Sequence, residues 1–383
     1  MVYKMSLKFK LKQNIKSFFQ NEYLPRVYDS YVQKTHVEKG KVIMADMHSE
    51  RLPFSMESTY NALVKKGYRP RVICRDFAKL TPMGKLRFLM RFMKEYASAE
   101  YVYICSYFLP VSSCKKRPET KVIQLWHSGG LLKKMGYDTR DDIPKGYVGD
   151  VTANYNLVTV SAEICAPIWE KALRLPKGMA EPLGLARTDV YFNDDWNERQ
   201  RTLFYKIYPE AKGKKVALYA PSFSGNAATP KCKGIESGII EVMNRFSDEW
   251  FFIVRLHPLL REKYPQYWSK NDEKMPTEKL LPIVNLLITD YSSVLFDYSI
   301  YKKPFVLFCP DIDSYKRTRG FYADPENFPA PLAKTADELE EILRRKAYFE
   351  YSEEEYEEFC KLYMGACDGN SALRIVEHAI NSL

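Results

Sequence analysis

Residues 122–130 read VIQLWHSGG, a mostly apolar run that ends abruptly in a histidine, a serine and two glycines. The run's length and its β-branched and aromatic residues predict a buried strand over 122–126, and the polar end predicts a loop. The next four residues, LLKK at 131–134, favour a helix. A buried strand followed by a loop and a helix is the repeating unit of a parallel sheet covered on both faces.

The same unit recurs along the chain on both sides of this stretch. In the first half we predict strands at 41–45, 71–74, 101–104, 122–126 and 157–160, with helices near 56–66 and 83–96. In the second half we predict strands at 216–219, 251–254, 286–289 and 305–308, with helices near 235–246 and 293–301. This alternation of strands and helices predicts an α/β fold of two doubly wound, Rossmann-like domains, with a hinge near 190–212 and a cleft between the domains.

The chain's 383 residues suit two domains of ordinary size. We predict an N-terminal α/β domain over 41–195 and a C-terminal α/β domain over 196–365. The segment 366–383 is predicted to be helical and to pack back towards the N-terminal domain. The composition, 46% hydrophobic and 28% charged, is typical of a globular protein. Eight scattered cysteines without a CxxC pair indicate buried thiols rather than a zinc site, and we expect no metal and no cofactor.

The formal net charge is +10, and the first 40 residues hold eight Lys or Arg against three acids. In this segment Leu11, Ile15, Phe18 and Phe19 share one helical face and lysines occupy the others, a pattern that suits an anionic membrane surface. An ordinary helix packed on the domain, with a solvated lysine face, fits the pattern equally. No apolar run is long enough to span a membrane and no signal peptide is apparent, which predicts a chain that is not secreted.

Ligands of open parallel sheets bind beyond the carboxyl ends of the strands, so polar loops at those ends are candidate sites. In the first such loop, Gly129 and Gly130 would let backbone N–H groups approach an anion at a helix start. His127 before them can act as a base near neutral pH. A structural, hydrogen-bonded histidine is the alternative.

The second loop is Arg255-Leu256-His257-Pro258, where alternation along a strand end points Arg255 and His257 to the same side. Two cations on one face are costly without an anion, which favours a phosphate site, and a surface charge pair is the alternative. The third loop contains Asp290, Ser292 and Ser293, whose hydroxyls could cap the next helix and also contact phosphate.

Weaker signals are Ser222, Arg187 and Arg319, each in a polar segment near a predicted strand or helix end. Arg187 could clamp a phosphate or form an ion pair with Asp189. The sequence contains no GxxxxGK[ST], GxGxxG or GxSxG motif, which argues against P-loop kinases, simple dinucleotide dehydrogenases and α/β-hydrolases.

Taken in order, these segments resemble the CDP-glycerol glycerophosphotransferases of teichoic acid synthesis. The matching segments are the Trp126-His127 loop with Lys133-Lys134 and Gly136, residues 184–189, 219–222, 255–258 and 287–293, then Phe296-Asp297, Lys303-Pro304, Asp311, Tyr315 and 319–322. The resemblance implies a GT-B-like architecture with the donor held by the C-terminal domain and the acceptor approaching from the N-terminal one. It matches His127 and His257 to the two family histidines, and Ser292 and Ser293 to contacts of the donor pyrophosphate.

The resemblance implies transfer of glycerol phosphate from CDP-glycerol to a lipid-linked disaccharide on polyprenyl diphosphate, with release of CMP, at the cytoplasmic face of the membrane. The compact length is more similar to members that add a single unit. Ribitol phosphate transfer, or a sugar-nucleotide glycosyltransferase of the same shape, are the alternatives. A nucleic-acid-binding protein is disfavoured because, beyond the first 40 residues, cations are interspersed with acids and no basic-aromatic RNA motif occurs.

Overall fold

Two parallel β-sheets, one in each half of the chain, dominate the architecture. The computed structural model describes residues 17–139, 142–143, 149–223 and 230–383. The first sheet has the strand order β2-β1-β3-β4-β5-β6. Its strands are β1 (Val42–Asp46), β2 (Arg71–Cys74), β3 (Tyr101–Ile104), β4 (Lys121–Gln124), β5 (Leu157–Thr159) and β6 (Ala180–Glu181).

Helices cover both faces of this sheet, and the central strands are buried along their length. The helices are α1 (Leu24–Val32), α2 (Phe54–Lys65), α3 (Pro82–Tyr96) and α4 (Cys165–Leu173). Helix α3 begins where sequence rules expect it, because Thr81 accepts a hydrogen bond from the Gly84 N–H and Pro82 occupies the first helical turn.

The second sheet has the order β11-β10-β9-β7-β8, again with every neighbouring pair parallel. Its strands are β7 (Lys215–Tyr219), β8 (Trp250–Val254), β9 (Leu286–Thr289), β10 (Phe305–Phe308) and β11 (Leu332–Ala333). Its helices are α5 (Asp194–Ile207), α6 (Lys233–Glu236), α7 (Ile239–Arg245), α8 (Asn271–Lys274), α9 (Thr277–Leu280), α10 (Val294–Ser299), α11 (Ile312–Thr318) and α12 (Ala336–Arg345).

Two further helices, α13 (Glu353–Met364) and α14 (Ser371–Asn381), bring the chain back to the first domain. Ile375 and Val376 of α14 are buried in the same apolar cluster as Val42 of β1. The carboxylate of Asp189 accepts hydrogen bonds from the Ser371 and Ala372 N–H groups at the start of α14. The carboxylate of Asp189 therefore stabilises this helix start and does not form an ion pair with Arg187.

The strand order changes direction at β1 in the first sheet and at β7 in the second. Such a switch point opens a crevice beyond the carboxyl ends of the strands, where ligands of doubly wound folds bind. Loops after β1, β3 and β4 open at one crevice, and loops after β7 and β9 open at the other. The two-domain α/β fold expected from the sequence is confirmed.

The helix expected at 131–134 does not form, and that prediction is wrong. Instead Lys133 pairs with Phe321 of the C-terminal domain in an isolated antiparallel bridge. The Lys134 N–H donates to the Gly320 carbonyl at 3.1 Å, and the Tyr322 N–H donates to the Leu132 carbonyl at 2.7 Å. These backbone bonds across the domains outcompete the local helical preference of two leucines and two lysines.

Within the ranges given above, no helix combines the length and apolarity needed to cross a membrane.

Candidate active site

A cavity of about 420 Å³ lies between the two domains, at the carboxyl ends of the strands. The N-terminal domain contributes the loops after β1, β3 and β4, including His48, Ser106 and His127. The C-terminal domain contributes Tyr291, Ser293, Arg319 and Tyr322. The cavity thus brings together residues as far apart in sequence as His48 and Tyr322.

The loop after β4 is built around an unusual backbone conformation at Trp126. This residue has φ of 54°, in the left-handed region that residues other than glycine rarely occupy. Its N–H donates to Gln124 Oε1 and its indole Nε1–H donates to Ser128 Oγ, both at 3.0 Å. A conformation of this kind costs about 1–3 kcal/mol and persists because surrounding contacts hold it. The turn presents the next side chain, His127, at the cavity.

The imidazole of His127 is oriented for accepting a proton. Its Nδ1 lies 2.9 Å from the Cys105 carbonyl oxygen, which can only accept, so Nδ1 carries the hydrogen and Nε2 keeps its lone pair. Desolvation by the cavity walls is the main cause that lowers the pKa of His127, and the positive charge of Arg187 acts in the same direction. A neutral histidine with a free Nε2 at neutral pH fits a general base.

Arg187 holds this loop against the C-terminal domain. Its Nη1 donates to the His127 carbonyl oxygen, and its Nη2 forms an ion pair with Asp297 at 2.8 Å. Both side chains are largely buried, and desolvation raises the pKa of Asp297 to about 6. The structure thus corrects both expectations for Arg187: its charge is satisfied by Asp297 of the other domain, not by Asp189, and is not free for a phosphate.

Gly129 and Gly130 serve close packing between the domains. A Cβ atom on Gly130 would lie 2.5 Å from the Phe296 ring, and one on Gly129 would lie 2.8 Å from Met364 Sδ. The Gly130 N–H already donates to Ser161 Oγ at 2.8 Å. With that amide occupied and no helix following, the expectation of an anion-binding glycine turn at a helix start is corrected.

Two cations instead line the cavity, Lys133 and Arg319. Arg319 donates through Nε to the Lys134 carbonyl oxygen at 3.0 Å, which leaves its two Nη groups available. Desolvation lowers the pKa of Lys133 to about 8, and the positive charge of Arg319 contributes to the shift. Within the described part of the chain neither cation is within ion-pair distance of a carboxylate. Two such charges in one cavity favour an anionic ligand.

The sequence placed Lys133 in a segment that resembles the family but gave it no role in the site. Its own local signal was a lysine pair in a segment that favours a helix. The bridge to Phe321, which places Lys133 between the domains, is formed by backbone groups and leaves no trace in side-chain patterns.

On the C-terminal side, the loops after β7 and β9 are tied together by Asp290. Its Oδ1 accepts the Ser222 N–H at 2.7 Å, and desolvation raises the pKa of its carboxyl group. Ser293 precedes α10 without capping it and lines the cavity, while Ser292 Oγ accepts a long bond of 3.5 Å from the Val294 N–H. The hydroxyl of Ser222 is buried without a hydrogen-bond partner among the described residues.

His257 lies near this group but does not line the 420 Å³ cavity. Its Nδ1 accepts a hydrogen bond from the Leu259 N–H at 3.3 Å, and its ring centroid lies 4.6 Å from that of Phe223. Desolvation and the charge of Lys133 lower the pKa of His257 to about 4.

Arg255, expected beside His257, is directed elsewhere. It forms an ion pair with Asp272 at 2.9 Å and donates to the Tyr208 hydroxyl at 3.0 Å. This largely buried pair neutralises the guanidinium charge, while Arg255 Nε has no hydrogen-bond partner among the described residues. The expected shared cation face of Arg255 and His257 is therefore not formed, and the positive charge that acts on His257 is that of Lys133.

Comparison with known families decides how this cavity is classified. Residues 27–381 match the model of the CDP-glycerol:poly(glycerophosphate) glycerophosphotransferase family, which is nearly the whole chain. The chain belongs to this family. The transferase is thus an enzyme of the glycerophosphotransferase type, in teichoic acid synthesis.

Among its relatives, the transferase is 28% identical to the teichoic acid ribitol-phosphate primase of Bacillus spizizenii, over 89% of this chain and 91% of that protein. It is also 28% identical to the teichoic acid glycerol-phosphate primase of Bacillus subtilis, over 72% and 73% of the two chains. The wall teichoic acid polymerase TagF, solved as a histidine variant, superposes with a TM-score of 0.77 at 19% identity, covering 97% of this chain and 96% of that one.

TagF was also solved after a soak with CDPG, as a second histidine variant, with a TM-score of 0.76. At this level of identity the likeness shows the fold. A UDP complex of MnaA from S. aureus shares the architecture more distantly, with a TM-score of 0.56. The two-domain, GT-B-like arrangement of the transferase is therefore confirmed.

Proposed function

We propose that the transferase moves glycerol phosphate from CDP-glycerol to a hydroxyl of a polyprenyl-diphosphate-linked disaccharide and releases CMP. One observation carries this proposal: the free Nε2 of His127 opens on the same cavity as the cations Lys133 and Arg319. A base beside an anion site is what attack of a hydroxyl on a pyrophosphate requires.

In this mechanism His127 takes the proton of the acceptor hydroxyl as the oxygen attacks the β-phosphorus in line. The new bond joins the acceptor oxygen to phosphorus, and the bond from that phosphorus to the bridging oxygen of the pyrophosphate breaks. CMP leaves with the bridging oxygen and its electron pair. Phosphoryl transfer relies chiefly on positioning and on charge stabilisation, so no covalent enzyme intermediate is needed.

Lys133 and Arg319 would neutralise the pyrophosphate and the charge that develops on CMP. Ser293 lines the same cavity, and the buried hydroxyl of Ser222 is available for a further hydrogen bond. His257, whose Nδ1 is occupied by the Leu259 N–H, presents an Nε2–H that can donate to a phosphate oxygen. Asp290 and Ser292 would orient these loops, and Arg255 would support β8 rather than contact phosphate.

We also propose that the transferase binds peripherally at the cytoplasmic face of an anionic membrane. The support is the basic, amphipathic pattern of the first 40 residues. Residues 1–16, including Leu11 and Ile15, lie outside the described part of the chain. In the part that is described, Phe18 is 54% exposed and Phe19 belongs to a short helical segment, Phe19–Tyr23.

A donor comparison tests the proposed reaction. The full chain is incubated with a short-chain polyprenyl diphosphate disaccharide and either CDP-glycerol, CDP-ribitol or a UDP-sugar, and nucleotide release and product mass are measured. We expect CMP release from CDP-glycerol and a product heavier by one glycerol phosphate. Preference for CDP-ribitol would replace the polyol but keep the reaction, and the similarity to a ribitol-phosphate primase is consistent with that outcome. UDP release with sugar transfer would overturn the proposal.

A further inference from the structure

A second, larger cavity lies beside the catalytic one. This groove, of about 1480 Å³, runs between residues 162–168, the loop 322–329 and helix α13. Leu131 and Tyr322 line both the groove and the catalytic cavity, so the two spaces share a wall. A ligand lying in the groove would end next to the cavity that contains His127.

The groove presents apolar surface to solvent on two of its sides. Ile164 is 37% exposed and Leu362 is 46% exposed, and both line the groove. Tyr363, partly buried, and Phe328, buried, extend the apolar surface between them. An exposed apolar lining beside an active site indicates contact with a ligand rather than with bulk water.

The balance of charges along the groove is opposite in sign to that in the catalytic cavity. Six carboxylate side chains line it, against the cations Lys361 and Arg374. Asp324, Glu326 and Asp368 are in ion pairs with lysine or arginine. For Glu163, Glu355 and Glu358, no ion pair is found with any described residue. The groove is therefore acidic, whereas the catalytic cavity has two cations, Lys133 and Arg319, against one carboxylate, Asp142.

We propose that this groove binds the neutral, hydroxyl-rich saccharide part of the acceptor and disfavours a chain of phosphodiesters. Carboxylates accept hydrogen bonds from sugar hydroxyls, and the apolar faces of sugar rings pack on side chains such as Ile164 and Leu362. A polyanionic chain in the same place would meet uncompensated negative charge. This inference rests on the proposed function, because it assigns the place of the acceptor in that reaction.

The charge of the groove has a consequence for product length. Once the acceptor carries glycerol phosphate units, its end becomes anionic and fits the acidic groove less well. The transferase would then add few units to one acceptor, which is the behaviour of a primase rather than a polymerase.

Two sets of variants test the groove. Leu362→Ser removes exposed apolar surface with little risk to folding, and we expect the KM for the disaccharide acceptor to rise about tenfold, with the Kd for CDP-glycerol unchanged. Glu355→Lys combined with Glu358→Lys reverses the local charge. We expect it to raise kcat/KM about tenfold for an acceptor already carrying several glycerol phosphates, relative to the unextended disaccharide acceptor.

Glu354→Lys is the matched control, since Glu354 lies on the same helix, is exposed and does not line the groove. Acceptor preference should not change in this variant. The inference is overturned if wild-type protein transfers to the unextended disaccharide acceptor but neither groove variant alters acceptor KM or preference, or if wild-type protein prefers the acceptor that already carries glycerol phosphates. Absence of CMP release from both CDP-glycerol and CDP-ribitol in the wild-type protein would instead refute the proposed function.

Discussion

The two histidine loops look alike in sequence and differ in structure. Each histidine follows a parallel strand, yet the hydrogen-bond partners of their Nδ1 atoms are opposite. In His127, Nδ1 faces the Cys105 carbonyl, which accepts, whereas in His257, Nδ1 faces the Leu259 N–H, which donates. The neutral rings are therefore opposite tautomers: His127 offers a lone pair at Nε2, and His257 offers an N–H.

The difference shows that a histidine's task is set by the backbone group behind its ring. In the first loop, the left-handed turn at Trp126 brings the ring of His127 to the Cys105 carbonyl at the end of β3. In the second loop, Pro258 starts a short 3₁₀ turn, which directs the Leu259 N–H back to the ring of His257. One loop thus prepares a base and the other prepares a hydrogen-bond donor.

Replacing the base should have the largest effect. For His127→Ala we expect kcat to fall by about 10²–10⁴, the usual contribution of general-base catalysis, while CDP-glycerol still binds. Steady-state CMP release gives kcat, and calorimetric titration gives the donor Kd. His36→Ala, at an exposed position, is the control and should resemble wild type. Near-normal turnover in His127→Ala would show that His127 is not the general base, and the proposed difference in role between the two histidines would then be wrong.

A smaller effect is expected at His257, because a donor to a charged phosphate contributes about 1.5–3 kcal/mol, or roughly 10–100-fold in kcat/KM. His257→Ala should lose that much. His257→Gln keeps an N–H group and should recover part of the loss, whereas His127→Gln should not recover activity. Equal losses in His257→Ala and His257→Gln, measured in the same CMP-release assay, would contradict the donor role.

The sequence allowed much of the fold to be predicted, because buried strands are local apolar runs. The strands at 71–74, 101–104, 286–289 and 305–308 have the predicted bounds. The two-residue edge strands β6 and β11 are too short to give a pattern, and the predictions did not include them.

The site was less predictable, because its key contacts join the two domains. Local sequence located His127 and Ser293 at the cavity, since both follow strands. It could not show that Arg187 pairs with Asp297, or that the backbone of residues 131–134 bonds to 319–322. Those pairings depend on how one domain faces the other, and they changed the expected roles of Arg187 and Gly130 and revealed Lys133.

The smallest effect we predict is a change in the pH profile, and it separates the two histidines again. The pKa of His257 is lowered to about 4, so this ring is neutral throughout the assay range. The base must be neutral to act, so kcat/KM should fall on acidification as pH drops through the pKa of His127, which lies below its ordinary value. The acid limb should persist in His257→Gln.

The alkaline limb should belong to Lys133, which contributes to donor binding only while protonated. Its pKa of about 8 predicts that kcat/KM falls as pH rises above that value, by about tenfold per pH unit at most. Lys133→Arg keeps the charge at higher pH, because a guanidinium stays protonated, and should move this limb upward while leaving the acid limb in place. Lys134→Arg is the neighbouring control and should move neither limb. An alkaline limb that stays near pH 8 in Lys133→Arg would assign it to another group, and the cationic character of the cavity would then rest on Arg319.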